Sequence, residues 1–255
     1  MKKIISYNVN GIRAAINKGF ADWLITENPD IVCIQETKAQ PEQIDSALFE
    51  SLGYFSYWFS ANKKGYSGVG ILCKEKPNHI EYGIGINKYD DEGRFIRADF
   101  GDTSIISVYH PSGSGGEIRQ AFKMEWLSDF QKYVNKLKET RTKLILSGDY
   151  NICRLWIDIH NPEKQEQTSG FLPEEREWFQ SFIDDGFIDT FREFNTNREH
   201  YSWWSYRAGA RKRNKGWRID YHIVTDSLLK QLSGASILSD VVHSDHCPVV
   251  LLIEM

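Results

Sequence analysis

Short unbroken apolar runs alternate along this chain with longer stretches of helical period. "KKIISYN" (2–8) reads as a strand, and "DIVCIQE" (30–36) as a strand covered on both faces. Between them "AAINKGFADWLITENP" (14–29) has helical spacing and stops at Pro29. Pro41 opens a second helix through "EQIDSALFESLG", with Gly53 as its stop. From 54 to 110 the pattern shortens into successive strands, "YFSYWFSA", "GVGILCKE", "HIEYGIG", "RFIRADF" and "TSIISVYH". The longest helical pattern covers 118–139, with Ile118, Ala121, Phe122, Leu127, Phe130, Tyr133, Val134 and Leu137 on one core-facing stripe. "KLILSGDYN" (143–151) returns to strand. A polar loop of about 20 residues follows, longer than structureless connections usually run. A helix over 173–186 starts at Pro, carries acids in its first turn and ends at Gly. Strands in "HYSWWSY", "WRIDYHIV" and "CPVVLLI" close the chain.

Helices interleaved with strands and hairpins predict a mixed α/β sandwich in a single domain spanning 1–255, with no Pro- or Ser-rich linker. Both halves hold strand, helix and strand run in similar order, which suggests a structural pseudo-repeat. One motif recurs: an apolar strand ends and an acid, amide or His follows. It does so at Asn8 and Asn10, at Glu36, at Tyr109 and His110, at Asp149 and Asn151, and ahead of the last strand at Asp245 and His246. A single Asp at a strand end is usually a turn or a cap. Five such clusters predict one shared polar site, because layered α/β proteins build sites at strand ends.

Composition changes this picture little. Of 255 residues, 41% are hydrophobic and 26% charged, as in ordinary soluble domains. No apolar run approaches the roughly 20 residues of a membrane span, and the N-terminus lacks a signal-peptide pattern. Cys33, Cys73, Cys153 and Cys247 are scattered without a C-x-x-C pair, which predicts buried free thiols and a cytoplasmic protein. The net charge of −4 argues against a general polyanion binder. Yet "RAGARKRNKGWR" (207–218) gathers Arg207, Arg211, Lys212, Arg213, Lys215 and Arg218 without an acid. By itself that run fits a solvated loop and a nucleic-acid surface equally well.

The candidate ligands are hard oxygens: Glu36, Asp149 and Asp245, with the amides of Asn8 and Asn151. They suit Mg²⁺ or Mn²⁺ better than a structural zinc. There is no H-E-x-x-H and no G-x-S-x-G, and "GYSGVG" (65–70) lacks the Lys-Ser/Thr of a P-loop. Carboxylates, amides and a His without a covalent nucleophile point to metal-assisted hydrolysis of a phosphate ester.

Taken in order, "SYNVNGIRA", "IQETK", "GYSGVGIL", "EGRFIRADF", "YHPS", "SGDYNI", "IDIHNPE", "SGFLPEEREWF", "WRIDYHIV" and "SDHCPVV" span the chain. This set resembles the exonuclease III class of apurinic/apyrimidinic endonucleases, in the endonuclease/exonuclease/phosphatase superfamily. The resemblance implies a deoxyribonuclease I-like, four-layered α/β sandwich, with two mixed sheets face to face and helices outside. It implies a monomeric DNA repair nuclease with Mg²⁺ (or Mn²⁺) as cofactor. Its partner would be double-stranded DNA containing abasic sites or blocked 3′ ends, cut 5′ to the lesion to leave a 3′-hydroxyl.

Carried over by position, Glu36 is the principal metal ligand, with Asn8 beside it and Asp245 as a further carboxylate. Asp149 orients or deprotonates the attacking water. Asn151 and Tyr109 face the scissile phosphate, His246 contacts its non-bridging oxygen, and Asp220 orients His246. Trp203, Trp217 and Ile219 form the apolar pocket for a base-less sugar, with core packing the competing reading for Trp203. Arg207 falls at a wedge position. Arg211, Lys212 and Arg213 are counted with it as DNA-binding. The chain departs from the family at Ser112, where many members have Asn, and at Arg154-Leu155-Trp156. His243, two residues before Asp245, is assigned no role. Which residue activates water, and whether one metal or two act, stay open at this level. A phosphatase of the same superfamily and a catalytically idle DNA binder are the competing functions.

Overall fold

The computed structural model describes all 255 residues. Twelve strands form two six-stranded sheets. The first contains β1 (Lys2–Asn8), β2 (Ile31–Gln35), β3 (Phe55–Phe59), β4 (Val69–Cys73), β11 (Leu232–Ile237) and β12 (Val249–Ile253), in the order β11-β12-β1-β2-β4-β3. The second contains β5 (His79–Tyr82), β6 (Phe95–Phe100), β7 (Thr103–Tyr109), β8 (Lys143–Asp149), β9 (Phe187–Asp189) and β10 (Asp220–Thr225), in the order β5-β6-β7-β8-β10-β9. Each sheet has a parallel central pair, β1 with β2 and β7 with β8, flanked by antiparallel neighbours. The two halves thus repeat one plan, as their similar order of elements suggests.

Period-two alternation in the central strands makes the layers. Ile4, Ile31, Cys33 and Ile71 meet Ile96, Ile105, Ile145 and Val224 between the sheets. Their neighbours Ile5, Val32, Ile34 and Leu72 face outward onto helices α1 (Ile12–Asn17), α2 (Phe20–Glu27) and α3 (Ser46–Ser51). On the other side Ile106, Leu144, Leu146 and Ile223 pack beneath α5 (Glu117–Lys138) and α6 (Pro173–Asp184); α4 (Asn87–Asp90) and α7 (Thr190–Phe194) are short connectors. The result is the four-layered sandwich that the resemblance implies. Toward one end the inter-sheet layer turns polar. Gln35 Nε2 donates to Ser107 Oγ at 3.1 Å, and Ser147 Oγ lies 2.7 Å from His222 Nδ1.

Several expected boundaries move, each for a local reason. The helix expected over 14–29 is two, because Gly19 adopts φ 94° between α1 and α2. Pro41 opens only a single 3₁₀ turn, and α3 starts after Asp45, whose carboxylate caps Leu48 N–H at 3.1 Å. "HYSWWSY" is not a strand. It crosses one end of the sandwich and pairs only through isolated bridges from Trp203 to Trp217 and to His246. Strand β11, "LSGASI", has too few large apolar residues to signal itself and is a bulged edge strand. The α5 stripe is rotated: Ile118 is 90% exposed, and the buried face is Lys123, Trp126, Leu127, Phe130 and Val134. No helix is long and apolar enough to cross a membrane.

The inter-sheet layer is the mechanical base of the molecule. Ile105→Ala is expected to lower unfolding free energy by about 2–5 kcal/mol in urea titration. A loss under about 1 kcal/mol would mean that the layer closes around the cavity instead of holding its spacing.

Candidate active site

The carboxyl ends of both parallel pairs point to the same end of the sandwich. Asn8 is paired with Gln35 at the end of β1 and β2, and Glu36 follows at once. Asp149 is paired with Tyr109 at the end of β7 and β8, and with Asp220 at the start of antiparallel β10. β12 runs antiparallel to β1, which brings the preceding Asp245 and His246 beside Asn8 and Asn10. The strand-end acids therefore converge because of strand direction, although they come from distant parts of the chain.

His246 Nδ1 donates to Asp220 Oδ2 at 2.9 Å, and the same oxygen accepts Ser202 Oγ at 2.6 Å. The other ring nitrogen, Nε2, lies 3.9 Å from Asp149 Oδ2. Burial works against a charged imidazole here. Asp220, its hydrogen bond, Asp149 and Asp245 outweigh burial and push the His246 pKa up to about 10. The ring is thus a cation at neutral pH, with one N–H directed at Asp149. Asp149 is shifted the other way for a carboxylate: burial, Asp220 and Glu36 raise its pKa against the pull of His246. Asn151 N–H donates to Asp149 Oδ1 at 2.8 Å, and Asn151 Nδ2 donates to His110 O at 2.9 Å.

Glu36 adopts φ 51° directly after β2, which turns its carboxylate into the cleft. Burial disfavours its charge, but Lys38 at 2.8 Å and the Asn8 amide hold its pKa below the usual range. Ligand atoms of Glu36, Asp149 and His246 lie within 4.8 Å of one another. A charged His246 has no lone pair to give. The donor set that fits a hard divalent cation is therefore the two carboxylates, whose crowding already raises Asp149.

Two expected ligands are engaged by protein groups. Asn8 donates Nδ2 to Glu36 Oε1 and to Asp149 Oδ2, both at 2.9 Å, while its oxygen accepts Asn10 N–H at 3.0 Å. It spaces the carboxylates, and its oxygen already accepts one hydrogen bond. Asp245 lies outside the Glu36–Asp149–His246 group. Its oxygens accept Asn10 Nδ2 at 2.8 Å and Trp203 Nε1 at 2.9 Å.

These groups floor a cleft of about 370 Å³. Trp203, Trp217 and Ile219 form one apolar wall; Ser112, Ser114, Thr168 and Ser169 form a hydroxyl-bearing one. Trp203 and Trp217 meet edge to face at 6.0 Å, over a small cluster of Cys153, Ile159, Phe171 and Ile219. Core packing and cleft lining are therefore both true of Trp203. Tyr109 is buried with Arg94 over its ring at 4.8 Å, and burial with Glu36 and Asp149 keeps its phenol protonated.

Comparison with known proteins places this geometry. The model of the endonuclease/exonuclease/phosphatase family matches residues 5–246. The chain belongs to this family. It is 44% identical to an exodeoxyribonuclease of Bacillus subtilis, over 99% of this chain and 100% of the relative. It is 40% identical to the DNA repair nuclease APEX1 of Danio rerio, over 99% of this chain and 82% of the relative. Among solved structures it resembles an AP endonuclease from Archaeoglobus fulgidus, with TM-score 0.91 and 30% identity over the whole of both chains. It also resembles a 3′ phosphatase from Neisseria bound to a product DNA hairpin, with TM-score 0.93 and 26% identity over the whole of both chains.

In this member of the family the basic run 207–218 divides. Arg211 is not available to a phosphate: its guanidinium donates to Ser244 O, Ser239 O and Val241 O at 3.0, 2.8 and 2.6 Å and stacks on Trp204. Arg218 is fully buried and locked to Asp158 and Asp189. Arg207, Lys212 and Arg213 remain exposed and form no ion pair, although Lys212 lines a different cavity from the cleft. Ser112 bonds Ser114 Oγ at 2.9 Å within the cleft wall. Arg154 reaches Gln180 and Asp189, and Trp156 packs edge-on against Phe171. His243 packs with Tyr7, Phe20 and Trp23, away from the cleft. Sequence reasoning missed Arg94, Lys38 and Lys123, which surround the site from behind. Their only signal is a cation inside an apolar or strand-end context.

Asp220 sets the charge of His246, so Asp220→Asn should drop that pKa toward the ordinary imidazole value of about 6.5. The alkaline limb of kcat/KM should move down by at least about one pH unit. A limb that stays in place would assign it to another group.

Proposed function

We propose that this chain is a metal-dependent DNA repair nuclease. It hydrolyses the phosphodiester 5′ to an abasic site in duplex DNA and leaves a 3′-hydroxyl. It also trims 3′ ends, as an exonuclease and a 3′-phosphodiesterase. The observation that carries this reading is His246, held by Asp220 and facing Asp149 across the floor of a cleft that has Glu36 beside it and an apolar wall above. Similarity to the Bacillus exodeoxyribonuclease and the Danio DNA repair nuclease supports it, since each aligns with almost the whole chain.

The division of labour follows from the charges. His246 keeps its Nε2 proton and donates it as a hydrogen bond to a phosphoryl oxygen, where negative charge grows in the transition state. Asp149, on the cleft floor between Asn8 and His246, is placed to orient or deprotonate the attacking water. Tyr109 supplies a neutral O–H at the cleft, and Asn151, whose Nδ2 is bound to His110 O and Asp149 Oδ2, lines the cleft and holds Asp149 in place. A divalent cation held by Glu36 and Asp149, Mg²⁺ in our proposal, would supply further positive charge at the phosphoryl oxygens. Trp203, Trp217 and Ile219 leave an apolar space that admits a sugar without its base and is obstructed by an intact nucleotide. Arg207, Lys212 and Arg213 would meet flanking phosphates. The protein acts as a monomer in the cytoplasm, where its four buried cysteines stay thiols.

Incubation with duplex carrying one abasic site should give Mg²⁺-dependent nicking at that site, abolished by chelator, with an intact duplex and a phosphoinositide left untouched. Equal turnover of the phosphoinositide would replace this reading with a phosphatase. Binding without cleavage would make the protein an idle DNA binder. Asp149→Asn should lower kcat by about 100-fold or more while the Kd for abasic DNA stays within about threefold; near-normal turnover would move water activation to another residue. Lys212→Ala with Arg213→Ala should reduce the salt slope of DNA binding by about two units. An unchanged slope would leave that loop to solvent.

A further inference from the structure

The buried face of α5 contains a lysine. Lys123 and Glu175, at the start of α6, form an ion pair with both side chains 0% exposed, Nζ to Oε1 at 2.5 Å. Removing two charges from water is costly, and such a pair contributes little net stability compared with apolar packing. Its hydrogen bonds show where it acts. Lys123 Nζ also donates to the backbone carbonyl of Asn151 at 2.9 Å. Glu175 accepts Gly170 N–H at 2.6 Å and Leu172 N–H at 3.0 Å on one oxygen, and Gln120 Nε2 and Ser169 Oγ on the other.

Three of these bonds end on the lining of the cleft, at Asn151, Ser169 and Gly170. Asn151 adopts the left-handed conformation, φ 52°, which asparagine tolerates better than other non-glycine residues and which turns the chain sharply after β8. Its N–H is bound to Asp149 and its C=O to Lys123, so both backbone groups are pinned. The 168–172 loop lies directly against it: a Cβ on Gly170 would sit 3.2 Å from Asn151 O and 2.9 Å from the Trp217 ring. Lys123 and Glu175 thus join the phosphate-facing residue and the hydroxyl-bearing wall to the two rigid helices behind them.

We propose that the Lys123–Glu175 pair is a positioning device for Asn151, in which Lys123 holds the left-handed backbone of Asn151 and Glu175 holds the adjoining wall at matching distance. The kinetic arm of its test rests on the phosphodiesterase reading above, and the exchange arm does not.

The informative variant is Lys123→Met with Glu175→Gln. It removes both charges together, keeps the volume close, and leaves an oxygen to accept Gly170 N–H. Tm should stay within a few degrees. The Asn151 amide should lose hydrogen-exchange protection by about tenfold or more as its backbone relaxes, measured by NMR without substrate. On abasic duplex, kcat should fall by about tenfold or more with KM within about threefold, because misplacement of Asn151, which holds Asp149, costs turnover before binding. In an Asn151→Ala background the same pair of changes should cost less than about twofold, since the residue it serves is already lost. Unchanged Asn151 protection overturns the proposal whether or not the protein cleaves DNA. An equal loss of kcat in the Asn151→Ala background overturns it too, by assigning the pair to general stability. If wild-type protein fails to nick the duplex, the nuclease reading falls, and the exchange measurement still decides the tether.

Discussion

Four carboxylates, from Glu36, Asp149, Asp220 and Asp245, share the end of a sandwich whose interior is otherwise apolar. Repulsion among buried like charges would raise their pKa values and loosen that end. The structure relieves it with one internal cation. His246 is held by Asp220 and directed at Asp149, and its charge is drawn from the acids around it. Around that pair the remaining donors are disposed: Asn8 between Glu36 and Asp149, Asn10 and Trp203 on Asp245, Lys38 on Glu36. One carboxylate, Asp149, is left with its pKa raised. That imbalance makes the Glu36–Asp149 pair receptive to a divalent cation.

The fold produces this congestion by symmetry of plan. Each sheet ends its central parallel pair at the same edge, and packing the sheets face to face brings the two ends within hydrogen-bonding distance, as in the Asn8–Asp149 contact. The apolar inter-sheet layer fixes their separation. Gln35, Ser107, Ser147 and His222 carry polar pairing from the core up to the floor of the cleft. Behind the floor, fully buried cations on neighbouring elements complete the support: Arg94 under Tyr109 and Lys123 under Asn151. Neither touches the cleft. Each holds the backbone of a residue that does.

Much of this was legible in the sequence, for identifiable reasons. An acid or amide at the end of a fully apolar strand cannot be buried without a partner, so Asn8, Glu36, Asp149 and Asp245 stood out together, while Asp220 came only through the family motif. Strand direction then decides that they meet, and the family motifs carried that information. Other features were illegible. Arg211 and Arg218 look like surface cations because the carbonyl and carboxylate acceptors that bind them lie far away in the chain. Lys123 sits one residue outside a convincing apolar stripe. Only the rotation of α5 reveals that it faces inward, while Ile118 faces water. The direction of the Asn8 amide, donor to two acids, is a property of the assembled cluster and has no counterpart in residue type.

The account stands on a His246 that is charged at neutral pH. The direct measurement is a ¹⁵N NMR titration of its imidazole in the metal-free protein. Both ring nitrogens should carry the shifts of a protonated imidazolium from pH 6 to above about pH 9, with the transition near the raised pKa of about 10. A ring that titrates near about 6.5, or shows one neutral tautomer at pH 7.5, would contradict the account. The cleft would then lack its internal cation, and the division of roles built on it would fail.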